Sequence, residues 1–432
     1  MYKTYPIRVL CLPCGSGVSQ EIFHSLCYRR DVELYGLDSN ENTPGKALFG
    51  KRFYHGAPLL SDRKQLLEYV KYFVALHEIK HIFPGTDDFV NFLKENEEFL
   101  GARVVTSSLE TCIVARSKSL TYQTLGRVVR VPRVFKNLEE VGQVDFPLFL
   151  KPDKGSGSIG CKKMETVGEL VSIYDRERDL ITELLPGKEY TVDCLSKDGE
   201  LLYHCPRERT ITRAGISIVT SAVKGSGVLE EVQDMAHQIN NTVNFIGAWF
   251  FQVKHSGDGS LCLLEIAPRI AGAMCFSRMS GVNLPLLSLN ISAGIPVRVG
   301  DFNHPDRTMK LYKTFMDPLI KFDNLYVDLD DTLVVKGKVN SEAMACLYRY
   351  SSRGVPIHLI TRRPTNLGEY LRRFHIPESI FTSIRQIFDL SPKSLYIVQN
   401  SIFVDDSFKE RSECSSVEKN IRCFDTDAFS FL

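Results

Sequence analysis

Two groups of residues in this 432-residue chain have the types and spacing for phosphate chemistry. In the middle of the sequence stand Lys118, in ARSKSLTYQTL, and Lys151, in FPLFLKPDKGSGSIG. Two cations on separate elements can neutralise neighbouring phosphates of one nucleotide. Lys151 ends an apolar run and precedes Gly155-Ser156-Gly157-Ser158-Ile159-Gly160. Glycines let backbone N–H groups close over phosphate oxygens, although such a loop also serves as a plain flexible connection. It is not a Walker loop, because the Gly-Lys-Ser/Thr ending is absent.

In ITELLPGKEYTVDCL a Pro-Gly turn separates Glu183 from Glu189. The backbone of such a hinge can read a base edge, and Glu189 can accept hydrogen bonds from ribose hydroxyls. A hairpin with surface acids fits the same residues. In AWFFQVKHSGDGSLCLLEIAPRIAGA, Gln252 and Glu265 fall on adjoining strand-like runs. Their oxygens are hard ligands suited to Mg²⁺. Arg269 follows and can hold a phosphate or carboxylate with two parallel hydrogen bonds. Arg207, Arg209 and Arg213, in CPRERTITRAGIS, fit either an anionic substrate or a solvated strand face.

The second group lies near the C-terminus. NLYVDLDDTLV places Asp328 and Asp330 two apart after an apolar run. At a strand end they share one face, so they can share Mg²⁺, one as nucleophile and one as acid/base. Thr361 ends VPIHLIT, Lys393 stands in SPKSLYIVQN, and Asp405 and Asp406 close IFVDDS. Apart from the lysine, each ends a strand-like run, where ligands gather in open α/β sheets. Lys409 is the alternative to Lys393.

The elements that must position these residues fall into three segments. Residues 1–115 alternate strand-like runs (IRVLCL, VELYGLD) with the helical spacing of QEIFHSLCYRR and QLLEYVKYFVALHEI. HIFPGTDD reads as a strand ending in an acidic turn. This is a βαβ rhythm, expected for a parallel, Rossmann-like sheet covered by helices. Residues 116–318 change to strand-like runs joined by turns, an α+β segment with one clear helix, LEEVQDMAHQINNTVNF. Residues 319–432 return to βαβ, with Gly354 as the expected stop of the helix SEAMACLYRYSSRG. Gly15-Ser16-Gly17, after the first strand, fits either a phosphate cradle or a tight turn.

Composition narrows the function classes. A net charge of +1 gives no global field for nucleic acid or anionic membrane. No run of about 18 apolar residues suggests a membrane span. IRVLCL is too short and interrupted for a signal peptide. Of the twelve cysteines only Cys11 and Cys14 are close, and no second pair suggests a zinc site. Buried reduced thiols, and so a cytoplasmic setting, are expected.

The stretches KPDKGSGSIG, ELLPGKEYTVD, LLEIAPRIAG and SGVNLPLL, in this order, resemble the ATP-grasp superfamily in its carbamoyl-phosphate-synthase-like branch. The first third resembles the pre-ATP-grasp domain of that group. The resemblance covers about residues 5 to 315. It implies ATP with Mg²⁺ (or Mn²⁺) and activation of a carboxylate as an acyl-phosphate, which an amine or another nucleophile then displaces. It implies that Lys118, Lys151 and the loop Gly155, Ser156, Gly157 and Ser158 hold phosphates. Glu183 would sit at the adenine hinge, Glu189 at the ribose, Gln252 and Glu265 on magnesium, and Arg269 on the transferring phosphoryl group. One departure stands out: the usual Glu-x-Asn-Pro-Arg reads Glu265-Ile266-Ala267-Pro268-Arg269, which removes one magnesium ligand.

Residues 322–425 resemble the haloacid-dehalogenase (HAD) superfamily, with Asp-x-Asp-x-Thr complete as Asp328, Asp330 and Thr332. That resemblance implies a phosphatase in which Asp328 attacks phosphorus and Asp330 protonates the leaving group. Thr361 and Lys393 would hold phosphoryl oxygens, and Asp405 or Asp406 would complete the Mg²⁺ site with Asp328 and Asp330. Only VVKGKVN follows the first motif, so a minimal cap is expected. The expectation is a bifunctional ligase–phosphatase acting on a small-molecule carboxylate, an amine or other nucleophile, and a phosphoester. No nucleic acid or membrane partner is expected, and a homodimer is an open option. The alternative is a phosphatase with a catalytically weak, ATP-binding regulatory module, for which Ala267 speaks.

Overall fold

The computed structural model describes residues 6–432 except 156, 214, 301–304, 312–320, 365 and 390. The chain divides into two compact units, Met1–Lys310 and Leu311–Leu432. The boundary drawn from sequence at 318/319 lies outside the described residues.

The first unit opens with strands β1 (Ile7–Leu12), β2 (Val32–Leu37), β3 (Phe53–Tyr54), β4 (His81–Pro84) and β5 (Arg103–Val104). They form a parallel sheet in the order β3-β2-β1-β4-β5. The continuous apolar run of β1 reflects burial on both faces. Val9 and Cys11 join one core with Phe83 and Phe250, whereas Leu10 and Leu12 join another with Val70 and Ile82. The acids of HIFPGTDD are not a turn. Asp87 and Asp88 open the helix Asp87–Glu95, where carboxylates favour the free N–H groups of the first turn.

Next come β6 (Val134–Phe135), β7 (Leu148–Pro152), β8 (Lys162–Met164) and β9 (Asp179–Glu183), a small antiparallel sheet in the order β6-β9-β7-β8. Then β10 (Glu189–Lys197), β11 (Glu200–Arg213), β12 (Ile216–Ala222), β13 (Gly247–His255), β14 (Leu261–Ala267) and β15 (Arg307–Met309) follow. These six are antiparallel, in the order β14-β13-β10-β11-β12-β15. The helix Ser226–Thr242 covers one face of this sheet, packing Val232, Met235 and Ile239 on Val192, Cys194 and Trp249. Leu195, Phe250 and Ala267 share the core that includes Val9 and Phe83, so both large sheets are anchored in one apolar layer.

The second unit contains β16 (Asn324–Val327), the hairpin β17 (Val334–Val335) and β18 (Lys338–Val339), then β19 (Ile357–Thr361), β20 (Ser383–Gln386), β21 (Ser401–Val404) and β22 (Ile421–Phe424). The main sheet is parallel, in the order β20-β19-β16-β21-β22. Chain order reverses at β16, which opens a crevice at the C-terminal ends of β19, β16 and β21. VVKGKVN folds as the β17–β18 hairpin. The helix Ser341–Ser351 is capped by Asn340, and Gly354 follows it with φ +78°. Among the described residues no helix is long and apolar enough to cross a membrane. All twelve cysteines are free thiols.

Candidate functional site

A cavity of about 390 Å³ in the first unit is lined from β7, β9, β10, β11, β13 and β14. Lys118, Lys151, Gly155, Gly157, Ser158, Glu183, Glu189, Gln252, Glu265 and Arg269 all line it. Ser156 lies outside the described residues.

The two lysines are fixed differently. Lys118 opens the helix Lys118–Leu125, which Ser117 caps by accepting from the Leu120 N–H at 3.2 Å. Its Nζ donates to the Gly155 carbonyl at 3.2 Å, tying the helix to the Gly-rich loop. Lys151 is buried at the end of β7 and donates to the Tyr122 hydroxyl at 2.6 Å. Burial, with the Lys118 charge beside it, pushes the Lys151 ammonium down to about 8. Lys151 is thus costly as a cation by itself, and phosphate oxygens beside it would relieve that cost.

Gln252 and Glu265 are directly opposed across β13 and β14. Burial pushes the Glu265 carboxyl up, partly offset by the Lys118 charge. A divalent cation between the Gln252 amide oxygen and this carboxylate suits both groups. Arg269 is clamped by Asp87, with Nε–Oδ1 at 2.7 Å and Nη2–Oδ2 at 2.6 Å. Burial acts to raise Asp87, but the Arg269 guanidinium outweighs it and holds the carboxyl below its usual range.

At the hinge, Glu183 Oε1 accepts from the Arg133 N–H at 2.9 Å, and Leu184 and Leu185 line the cavity. Glu189 pairs with Arg209 at 2.8 Å. Arg207 is fully buried and makes two hydrogen bonds to Asp193, at 2.9 and 3.1 Å. Arg213 is exposed. In the early Gly-rich turn, the Gly15 N–H is already bonded to Asp38 at 2.9 Å, and Ser16 caps the helix Gly17–Leu26. Local structure therefore accounts for much of that turn.

In the second unit the strand ends converge. Lys393 Nζ bridges Asp328 Oδ1 at 2.7 Å and Asp405 Oδ2 at 2.6 Å. Asp328, Asp405 and Asp406 each offer an oxygen within 4.8 Å of the others. Burial pushes Asp328 up to about 7, with Asp405 adding to it and Lys393 opposing. Three acids gathered this closely offer the hard oxygen ligands that a divalent cation takes. Thr332 Oγ1 accepts from the Asp406 N–H at 3.1 Å, and buried Thr361 ends β19. Asp330 is not in the acid cluster: its carboxylate pairs with Arg363 at 3.0 Å. Lys409 is exposed and lies 3.9 Å from Glu413, so Lys393 is the lysine at the acids.

Residues 175–313 match the family described as ATP-grasp in the biosynthetic pathway with Ter operon. A D-alanine–D-alanine ligase of Francisella philomiragia is 27% identical over 189 residues, 39% of this chain and 61% of that ligase. The chain thus spans about three-fifths of that relative's length. Among solved structures, the biotin carboxylase domain of Hydrogenobacter thermophilus 2-oxoglutarate carboxylase, in complex with MgADP, ADP and bicarbonate, superposes with a TM-score of 0.57 at 17% identity. It covers 68% of this chain and 71% of that one. An L-amino acid ligase from Bacillus licheniformis gives a TM-score of 0.54 at 18% identity, covering 67% and 75%. The chain contains an ATP-grasp fold.

Several residues that shape the ATP-grasp cleft went unnoticed in the sequence. Tyr122 holds Lys151, Asp87 holds Arg269, and Asp193 holds Arg207. Gly215, at φ +72°, packs against the Gly-rich loop; a Cβ there would meet the Gly157 carbonyl carbon at 2.6 Å. Only the helical register of SLTYQTL, which puts Tyr122 one turn beyond Lys118, and the acids after β4 offered any signal.

Proposed function

We propose that the ATP-grasp unit is an ATP-dependent ligase that couples a carboxylate to an amine or a related nucleophile. The convergence of Lys118, Lys151, Gln252, Glu265 and Arg269 on one cavity carries this reading. Lys118 and Lys151 neutralise phosphate oxygens of ATP, and the hinge from Glu183 to Leu185 faces the base. Gln252 and Glu265 would hold Mg²⁺, which supplies charge neutralisation at the phosphates. Arg269, positioned by Asp87, stabilises charge on the phosphoryl group during transfer. A substrate carboxylate oxygen bonds to the γ-phosphorus as the bond to ADP breaks. The nucleophile then bonds to the acyl carbon, and inorganic phosphate leaves.

The second unit is proposed to be a HAD-type phosphatase, on the strength of the Asp328–Lys393–Asp405 arrangement at the switch point of a parallel sheet. Asp328 attacks the phosphorus. Asp330 gives a proton to the leaving oxygen and then takes one from water, and Lys393 and Thr361 hold the phosphoryl oxygens. Asp328, Asp405 and Asp406 would hold Mg²⁺, which supplies further neutralisation of the phosphoryl charge. The proposed setting is the cytoplasm.

The test is ADP and phosphate release from MgATP across pooled amino acids and carboxylic acids, with wild type, Glu265→Gln and Asp328→Asn. Acid-dependent ADP release that needs Glu265 and survives Asp328→Asn supports the ligase. One observation favours a second reading: Ala267 stands where the family carries a ligating Asn. MgATP binding with no turnover under any pool would replace the ligase by a nucleotide-binding regulatory module beside a phosphatase.

A further inference from the structure

The floor of the cleft is a single row of cross-strand neighbours. Glu265 on β14 opposes Gln252 on β13, Gln252 opposes Thr191 on β10, and Thr191 opposes Arg207 on β11. Directly opposed residues project to the same face, and all four line the cavity. At the Arg207 end two polar atoms are unsatisfied. Thr191 is 1% exposed and Arg207 2%, yet among the described residues neither Thr191 Oγ1 nor Arg207 Nη1 meets a hydrogen-bond partner. Leaving such groups bare is costly, so a pair of them on neighbouring residues that line one cavity points to a ligand.

The charge of this end selects the ligand. Asp193 already neutralises Arg207 through two hydrogen bonds. Glu21, the acid near Lys310, is itself paired with Arg278 at 2.9 Å. Lys310 lines the cavity and donates to the Gly272 carbonyl at 2.6 Å, which leaves one net positive charge. Two neutral-to-cationic donors and a single spare charge match a monoanionic carboxylate better than a dianionic phosphate. Three strand spacings separate Arg207 from Glu265, about 14 Å between their backbones at ~4.8 Å each. A carboxylate held here is therefore set apart from Glu265, where the magnesium would sit.

We infer that Thr191 Oγ1, Arg207 Nη1 and Lys310 anchor a second, non-reacting carboxylate of the ligase's substrates. The inference rests on the ligase reading and narrows it: one substrate is an amino acid or a dicarboxylic acid.

The test uses the full chain saturated with MgADP and calorimetric titration of glycine, L-alanine, L-glutamate, succinate and glutarate. Each is set against its methyl ester, the monomethyl ester for the diacids. The amino acid and diacid arms separate the two sources of the carboxylate. At least one acid is expected to bind, with its ester about 10-fold weaker or more, as loss of a charge-assisted pair implies. Thr191→Val, which replaces a bare hydroxyl by a methyl group and so keeps the fold, should weaken that acid about 10-fold and leave MgADP affinity unchanged. Arg207→Lys should do the same. Equal binding of acid and ester, an unaltered acid affinity in Thr191→Val, or no acid bound with MgADP in place would overturn the inference and leave the nucleotide site standing. Failure of MgADP itself to bind would overturn the ligase reading and the anchor with it.

Discussion

Arg269 and Asp87 meet in a two-armed ion pair, 2.7 and 2.6 Å long, that joins the bend just after β14 to the helix after β4. The cleft is thus held from the N-terminal parallel sheet as well as from its own floor. Asp87→Asn leaves Arg269 largely buried with a neutral partner. The expected cost is about 3 kcal/mol of stability, as for breaking a buried pair from one side. Urea unfolding of Asp87→Asn and Asp87→Asn/Arg269→Met checks this. The double variant should recover part of the loss, and a single variant as stable as wild type would refute the clamp.

Lys151 sets a pH dependence. Its ammonium, pushed down to about 8 by burial and by Lys118, is charged below that pH and neutral above it. Phosphate binding favours the charged form. MgADP affinity should be flat from about pH 6.5 to 7.5 and fall about fivefold between pH 8 and 9. Lys151→Met should bind weakly at every pH, with no such step. The stability effect has the opposite sign: the unfolded lysine keeps its proton up to its ordinary value of 10.5, so in the free protein stability rises with pH between about 8 and 10.5.

Gly215 and Gly157 are packed too tightly for a side chain at Gly215. Gly215→Ala must displace the Gly-rich loop or strain a backbone at φ +72°. MgADP affinity is expected to drop by about 10-fold, a loss of about 1.4 kcal/mol. Ala substituted at Gly199, where no atom crowds the Cβ, is the comparison and should leave that affinity alone.

Beside Ala267 lies a cavity of about 20 Å³ lined by Asp87, Lys118 and Glu265. That is room for about one water, which can stand in for the absent amide oxygen. Ala267→Asn should therefore be accommodated at a cost of about 1–3 kcal/mol and lower the Mg²⁺ needed for half-maximal ADP release. A loss of several kcal/mol in unfolding, or an unchanged Mg²⁺ requirement, would count against this account.

In the second unit, removing divalent metal with EDTA should abolish hydrolysis of p-nitrophenyl phosphate, and added Mg²⁺ should restore it. Asp328→Asn should reduce the rate to background. Asp330→Asn should cost about 10²–10⁴-fold, the range for a lost general acid. Steady hydrolysis in Asp328→Asn would remove the covalent mechanism.

Much of this molecule was legible in one dimension because period and position leave local marks. The apolar stretch Val9–Leu12 of IRVLCL marks a strand buried on both faces, and acids closing two apolar runs with a threonine closing a third mark the strand ends that converge in the second unit. That Lys118, Lys151, Gln252, Glu265 and Arg269 line one cavity was foreseeable because residue type, strand ends and order survive in the sequence. What only the tertiary structure decided is which partner each takes. Asp87 reaches Arg269 across 182 positions, Lys393 rather than Lys409 meets Asp328, and Asp330 turns to Arg363. The bare atoms of Thr191 and Arg207 become visible only when β10 and β11 are in register. Hydrogen-bond satisfaction and burial depend on contacts between distant segments, and no local pattern encodes them.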